Sequence, residues 1–189
     1  MKLTVLMVCL TIILLLLITY LLCHCFHSSN LITQKKHITG CLKTFTLVNF
    51  CSAVPKVAFA ASLGGNGMQK TTSGNKDLIY RDVLTNIGQA YNAETGEFTA
   101  PVRGVYYIRF SVNAPTDFTM SGVLYKNDAE IQLIVHESPS GSGSDTGSNG
   151  APLMLEKGDK LKMVLWHNTQ IWDNSNHHST FSGYLLFPM

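Results

Sequence analysis

Residues 105–112 alternate strictly, with Tyr106, Ile108, Phe110 and Val112 in one set of positions and Val105, Tyr107, Arg109 and Ser111 in the other. Successive side chains of an extended chain point to opposite faces, so this period predicts a half-buried β-strand. The chain around it is punctuated in the same style. Residues 57–63 read as a first strand that Gly64-Gly-Asn-Gly67 breaks, and Asn86-Ile-Gly88 and Asn92-Ala-Glu-Thr-Gly96 supply residues that tolerate positive φ. Residues 122–125 and 131–135 flank Lys126-Asn-Asp-Ala129 as the arms and tip of a hairpin. Residues 138–150 are Ser- and Gly-rich and are expected to form a polar loop. Residues 161–166 and 181–187 are the last two expected strands, and 168–180 between them shows neither a repeat nor a helical period. Short strands, frequent turns and no amphipathic helix predict an all-β sandwich.

The last two strands break the usual rule that one face of a sandwich strand is polar. Leu161, Met163 and Leu165 are opposed by Val164 and Trp166, and Leu185 and Phe187 by Tyr184 and Leu186. Two explanations fit: a central strand covered by a loop, or a subunit interface, since large exposed apolar patches are uncommon on monomers.

The N-terminus follows another pattern. Residues 3–22 are twenty consecutive uncharged positions behind Met1-Lys2. That is at the border between a signal peptide and the roughly 20 apolar residues of a spanning helix. Cys23 and Cys25, three and one places before Phe26, give a poorly marked cleavage site. Lys35 and Lys36 beyond the segment offset Lys2, so charge does not decide orientation. The division expected is 1–25 signal peptide or signal anchor, 26–54 a cysteine-bearing linker without a defined fold, and 55–189 one globular domain. Either leader delivers the domain outside the cytosol, secreted or as a type II single-pass membrane protein anchored through residues 3–22. All five cysteines, Cys9, Cys23, Cys25, Cys41 and Cys51, precede the domain. In an oxidising compartment Cys41 and Cys51 are candidates to pair with each other or to link neighbouring chains.

Charge narrows the function further. Five basic and no acidic residues precede Val57, leaving nine basic against all twelve acidic residues in the remainder. The domain is mildly acidic and carries no nucleic-acid footprint. Catalytic motifs are absent: there is no H-E-x-x-H, G-x-S-x-G or phosphate-binding glycine loop. Asp145-Thr-Gly147 spells the aspartic-protease triplet but has no second copy to share its proton. His177-His178 in a polar connection reads as solvated imidazole rather than a metal pair. An enzyme is not expected.

The spacing of Tyr80, Asn86, Tyr91, Phe98, Gly104, Tyr106 and Phe110 resembles the globular head of the complement C1q family, a branch of the tumour necrosis factor-like jelly rolls. Tyr80 and Ile108 stand where the family pattern has Phe, and both keep a large apolar side chain. Leu155-Glu-Lys-Gly158-Asp159 and residues 180–187 look like the family's later strands, so the likeness spans about 55–189. The family's collagen stalk is missing, since no Gly-X-Y run or heptad series precedes the head.

The resemblance implies a C1q/tumour necrosis factor-type jelly-roll β-sandwich that assembles as a homotrimer, and it favours the interface explanation, with Leu165, Trp166, Tyr184 and Leu186 between chains. It also implies calcium near the three-fold axis: an ungapped count back from Asp159 places Glu137 and Asp145 on the ligand positions, with no cofactor otherwise required. The expected function is an extracellular recognition module of the innate-immune type, binding carbohydrate, microbial-surface or protein ligands. The alternative is an adipokine-, cerebellin- or tumour necrosis factor-like ligand for a cell-surface receptor.

Overall fold

The computed structural model describes residues 15–19, 55–65, 67–116 and 118–189, in two separate units of which the second is Pro55–Met189. In the first unit residues 15–19 are helical, and among the described residues no helix is long and apolar enough to cross a membrane. The signal or anchor segment lies mostly outside the described residues, and the five cysteines, Cys41 and Cys51 included, lie wholly outside them.

The second unit is built from thirteen strands: β1 (Ala58–Ser62), β2 (Gly67–Lys70), β3 (Lys76–Leu78), β4 (Asp82–Ile87), β5 (Tyr91–Asn92), β6 (Glu97–Thr99), β7 (Gly104–Pro115), β8 (Met120–Lys126), β9 (Glu130–Glu137), β10 (Ser144–Leu155), β11 (Lys160–Leu165), β12 (Gln170–Asp173) and β13 (Thr180–Pro188). Sheet one runs β4-β1-β13-β7-β10, with every neighbour antiparallel. Sheet two has β8 between β9 and β11, and β11 continues to β3 along one part of its length and to β6 along the other. At the corner β12, backed by β2, touches β7 through Trp172↔Asn113 and β8 through Gln170↔Met120, so hydrogen bonding runs round from one sheet to the other.

β7 explains the arrangement. Its Tyr106, Ile108, Phe110 and Val112 are fully buried, as their alternation predicts, and share the core with Phe98, Leu124, Leu161 and Met163 of sheet two and with Phe181 of the neighbouring β13. Phe59 stacks within 5.1 Å of Tyr91 and 4.9 Å of Phe98, and meets Phe181 edge-on at 4.9 Å. The spaced aromatic residues of the sequence are therefore one packed cluster. Asn86 locks its turn: Nδ2 donates to the Tyr91 carbonyl at 2.8 Å, and Tyr91 N–H donates to Asn86 Oδ1 at 3.2 Å. Gly104 lies so close to β13 that a Cβ would sit 2.7 Å from the Phe187 carbonyl oxygen, which excludes any side chain there. The hairpin tip bends at Asn127 and Asp128, both with positive φ, the signature of the tight turns that match strand twist.

Two expectations need correction. Ser144 to Gly150 is not loop but the first half of β10, which pairs with β7 through all twelve of its residues. The loop shrinks to the residues between β9 and Ser144 because the long neighbour β7 supplies a ladder that the Ser/Gly composition does not advertise. The connection 168–180 likewise contains β12, too short to display a period.

Candidate interaction face

The outward face of sheet one gathers exposed apolar side chains from several adjacent strands, whereas Ile131 and Ile134 of β9 are exposed at the edge of sheet two. Tyr184, Leu186 and Phe187 of β13 are 47%, 45% and 54% exposed. Register assembles their surroundings: Tyr184 is opposite Tyr107 of β7 and Ala58 of β1, Ala58 is opposite Ile87 of β4, and Tyr107 is opposite Pro152 of β10. The Tyr107 and Tyr184 rings lie 5.7 Å apart. A register shift between Leu185 and Phe187 leaves Leu186 unpaired, and both it and Phe187 stay exposed while Leu185 packs on the core. Ile87 and Met154 are exposed on the flanking strands.

The same face turns polar along the strands. Arg109 is exposed opposite Ser182 and Gly150, followed by Ser111 opposite Thr180 and Ser148. Ser111 Oγ and Thr180 Oγ1 are 2.8 Å apart. At the end of this row His177, at φ 58°, places Nδ1 2.8 Å from Ser62 Oγ and 3.4 Å from Asp82 Oδ2. Serine, histidine and aspartate meet, but not as a catalytic relay. A relay needs the hydroxyl and the carboxylate on different ring nitrogens, and here both address Nδ1, with Ser62 fully buried. Asp173 beneath them is a structural knot: its carboxylate accepts from the N–H groups of Gly64, Asn174 and His178. His178 lies with its ring 5.3 Å from Trp172.

The four expected interface residues fall in three places. Leu165 is 0% exposed in the core of its own chain and is not an interface side chain, a correction that follows from β11 lying between β8 and β3 with its Leu161, Met163, Leu165 face inward. Trp166 follows β11 on sheet two, where its Nε1–H donates to Tyr125 Oη at 3.4 Å and its ring lies 5.6 Å from that of His136. Tyr184 and Leu186 share the open face of sheet one.

The expected calcium residues sit on neighbouring strands. Glu137 ends β9, exposed, and Asp145 is the second residue of β10, its Oδ2 accepting the Ser140 N–H at 3.3 Å. Among the described residues no three His, Cys, Asp or Glu side chains cluster to hold a metal. Calcium takes six to eight oxygens, so these two acids fit it only if several copies contribute.

Three ion pairs link β3, β8, β11 and the turns beside them. Lys162 Nζ lies 2.6 Å from Asp128 and 3.0 Å from Asp77, and Lys126 Nζ lies 3.0 Å from Asp159. The Lys162 ammonium holds the Asp128 carboxyl below the usual range. For Asp159 burial works the other way, and its hydrogen bonds from Asn127, Glu156 N–H and Lys126 prevail to lower it. Burial pushes the hydroxyls of Tyr80 and Tyr91 far up, so both stay neutral core side chains.

Comparison with known proteins gives this architecture its place. The C1q domain model matches residues 58–186. Complement C1q tumor necrosis factor-related protein 3 of Mus musculus and that of Homo sapiens are each 33% identical over 132 residues, 70% of this chain and 52% of the relative. The chain thus spans about half the length of the curated relatives it matches. Among solved structures, the globular domain of zebrafish complement 1qA aligns with TM-score 0.53 at 24% identity, covering 71% of this chain and 99% of that one. Murine APRIL aligns with TM-score 0.56 at 15% identity over 69% and 99%, and Eiger TNF from S. frugiperda with 0.56 at 18% over 71% and 95%. These neighbours share the jelly-roll sandwich of the C1q and tumour necrosis factor type, and with the family model matched over more than half its length, the chain belongs to the C1q domain family.

Proposed function

We propose that Pro55–Met189 is an extracellular recognition head that works as a homotrimer and binds carbohydrate, microbial-surface or protein ligands through its loops, without catalysis. The observation that carries the assembly is the open apolar face of sheet one around Tyr184, Leu186 and Phe187, whose exposure a monomer in water does not favour. A closed ring needs one patch meeting a different patch on the next copy, and a single broad sheet face flanked by the free strand β4 suits that geometry. Ligand binding is assigned to loops because they vary at little cost to the sandwich that holds them.

A second reading, a ligand for a cell-surface receptor, draws on the kinship with the C1q tumor necrosis factor-related relatives. One experiment separates the two. Purified head is titrated against immobilised bacterial polysaccharide and against cultured cells. Saturable binding to polysaccharide supports the recognition reading, saturable protease-sensitive binding to cells supports the receptor reading, and binding to neither removes both.

A further inference from the structure

β10 is an edge strand whose ladder joins it to β7 alone, and beside it runs β9, the edge of sheet two. Val135 of β9 packs against Gly147 of β10 across the gap between these edges, and a side-chain hydrogen bond spans it: Asn149 Nδ2 donates to the Ile134 carbonyl at 3.0 Å. The other half of the same amide faces its own chain, since Gly150 N–H donates to Asn149 Oδ1 at 2.8 Å. The Gly150 nitrogen therefore rests against the Asn149 carboxamide, and glycine has no Cβ to shield it.

We propose that Asn149 is a site of spontaneous deamidation, and that the product loosens the seam between β9 and β10. The Gly150 nitrogen attacks Asn149 Cγ; an N–Cγ bond forms, the Cγ–Nδ2 bond breaks, and ammonia leaves with the proton released from the Gly150 nitrogen. Water then opens the cyclic imide at either carbonyl, giving aspartate or isoaspartate. No redox partner is involved. The extended strand holds the main chain away from ring geometry, so closure occurs when the edge opens locally. The stretch Ser144-Asp-Thr-Gly-Ser-Asn-Gly150 favours such opening, being poor in the β-branched and aromatic residues that stiffen strands and containing two glycines. Once formed, a carboxylate oxygen faces the Ile134 carbonyl, so an acceptor stands where a donor stood and the bridge is lost. Isoaspartate further lengthens the strand by one backbone carbon and disturbs the register with β7.

The test follows Asn149 in the full-length, folded chain during incubation at mildly alkaline pH. Peptide mapping by mass spectrometry, with isotopically heavy water, reads the gain of one solvent oxygen and the loss of ammonia. The other Asn-Gly pair of the sequence, Asn66-Gly67, is read in the same digest to show that conditions suffice. The expected result is heavy oxygen and isoaspartate at residue 149, and neither at that position in Asn149→Gln, whose ring would need an extra carbon. Asn66 converting while Asn149 stays intact overturns the proposal. Gly150→Ala is avoided as a control because its Cβ would lie 3.0 Å from the Ile108 carbonyl oxygen and 3.1 Å from Arg109 Cβ. For the consequence, Asn149→Asp is expected to melt about 2–4 °C below wild type; an unchanged Tm refutes the loosened seam.

Discussion

The outward faces of the two sheets differ in one respect that the strand patterns do not reveal. On sheet two, Val123 and Val164 point away from the core and are still buried, on the side that carries Trp166, Tyr125 and His136, and the exposed apolar side chains there, Ile131 and Ile134, belong to the edge strand β9. On sheet one, Tyr107, Tyr184, Leu186 and Phe187 have no such roof and meet solvent. Apolar residues on both faces of a strand thus mean two things here. In β11 they mark a strand closed over by its own sheet's side chains, and in β13 a face left for something outside the protomer.

Substitutions that exchange the two faces break this contrast. The largest effect belongs to Leu165→Asp, which puts a carboxylate into the dry core. It is expected to cost about 4 kcal/mol or more and to abolish the cooperative thermal transition. Leu186→Asp introduces the same charge on the open face. The chain is expected to stay folded, with wild-type near-ultraviolet circular dichroism, and to sediment as a single chain. Trp166→Ala removes the roof of sheet two and is expected to lower stability by about 2 kcal/mol with the oligomeric mass unchanged. A change of mass would move the interface to sheet two.

Smaller effects sharpen the electrostatics. If three copies hold calcium through Glu137 and Asp145, millimolar calcium raises Tm by mass action, by an amount worth about 1–2 kcal/mol, and the pair Glu137→Gln and Asp145→Asn loses the shift. An equal shift in the double variant removes these ligands. Asp128 and Asp159 titrate below their unfolded range. Their contribution is therefore complete above the unfolded carboxylate pKa of about 3.9 and fades as pH falls through the lower folded values. Lys162→Met is expected to flatten the acid limb of a stability-pH curve slightly, as suits exposed pairs. An acid limb identical to wild type would exclude Lys162 from it.

Much of the fold was legible because its determinants are local. The period of β7, the spaced aromatic residues and the Asn-Asp tip each state their own structure. β10 was hidden, since Ser144 to Gly150 is a strand only because β7 lies beside it. The interaction face was half legible for the same reason. Alternation marks Tyr184 and Leu186 as oddly apolar and marks Leu165 and Trp166 equally, and only the place of β11 between β8 and β3, with Leu165 turned into the core, separates them. The meeting of His177 with Ser62, 115 positions apart, left no sequence signal.

The central claim is that the open face of sheet one is closed by further copies of the chain. Multi-angle light scattering on isolated Pro55–Met189 at micromolar concentration tests it directly, since the complete hydrophobic core lies within that segment. The account predicts the mass of three chains for wild type and of one chain for Leu186→Asp. A wild-type head that remains a folded single chain would contradict it.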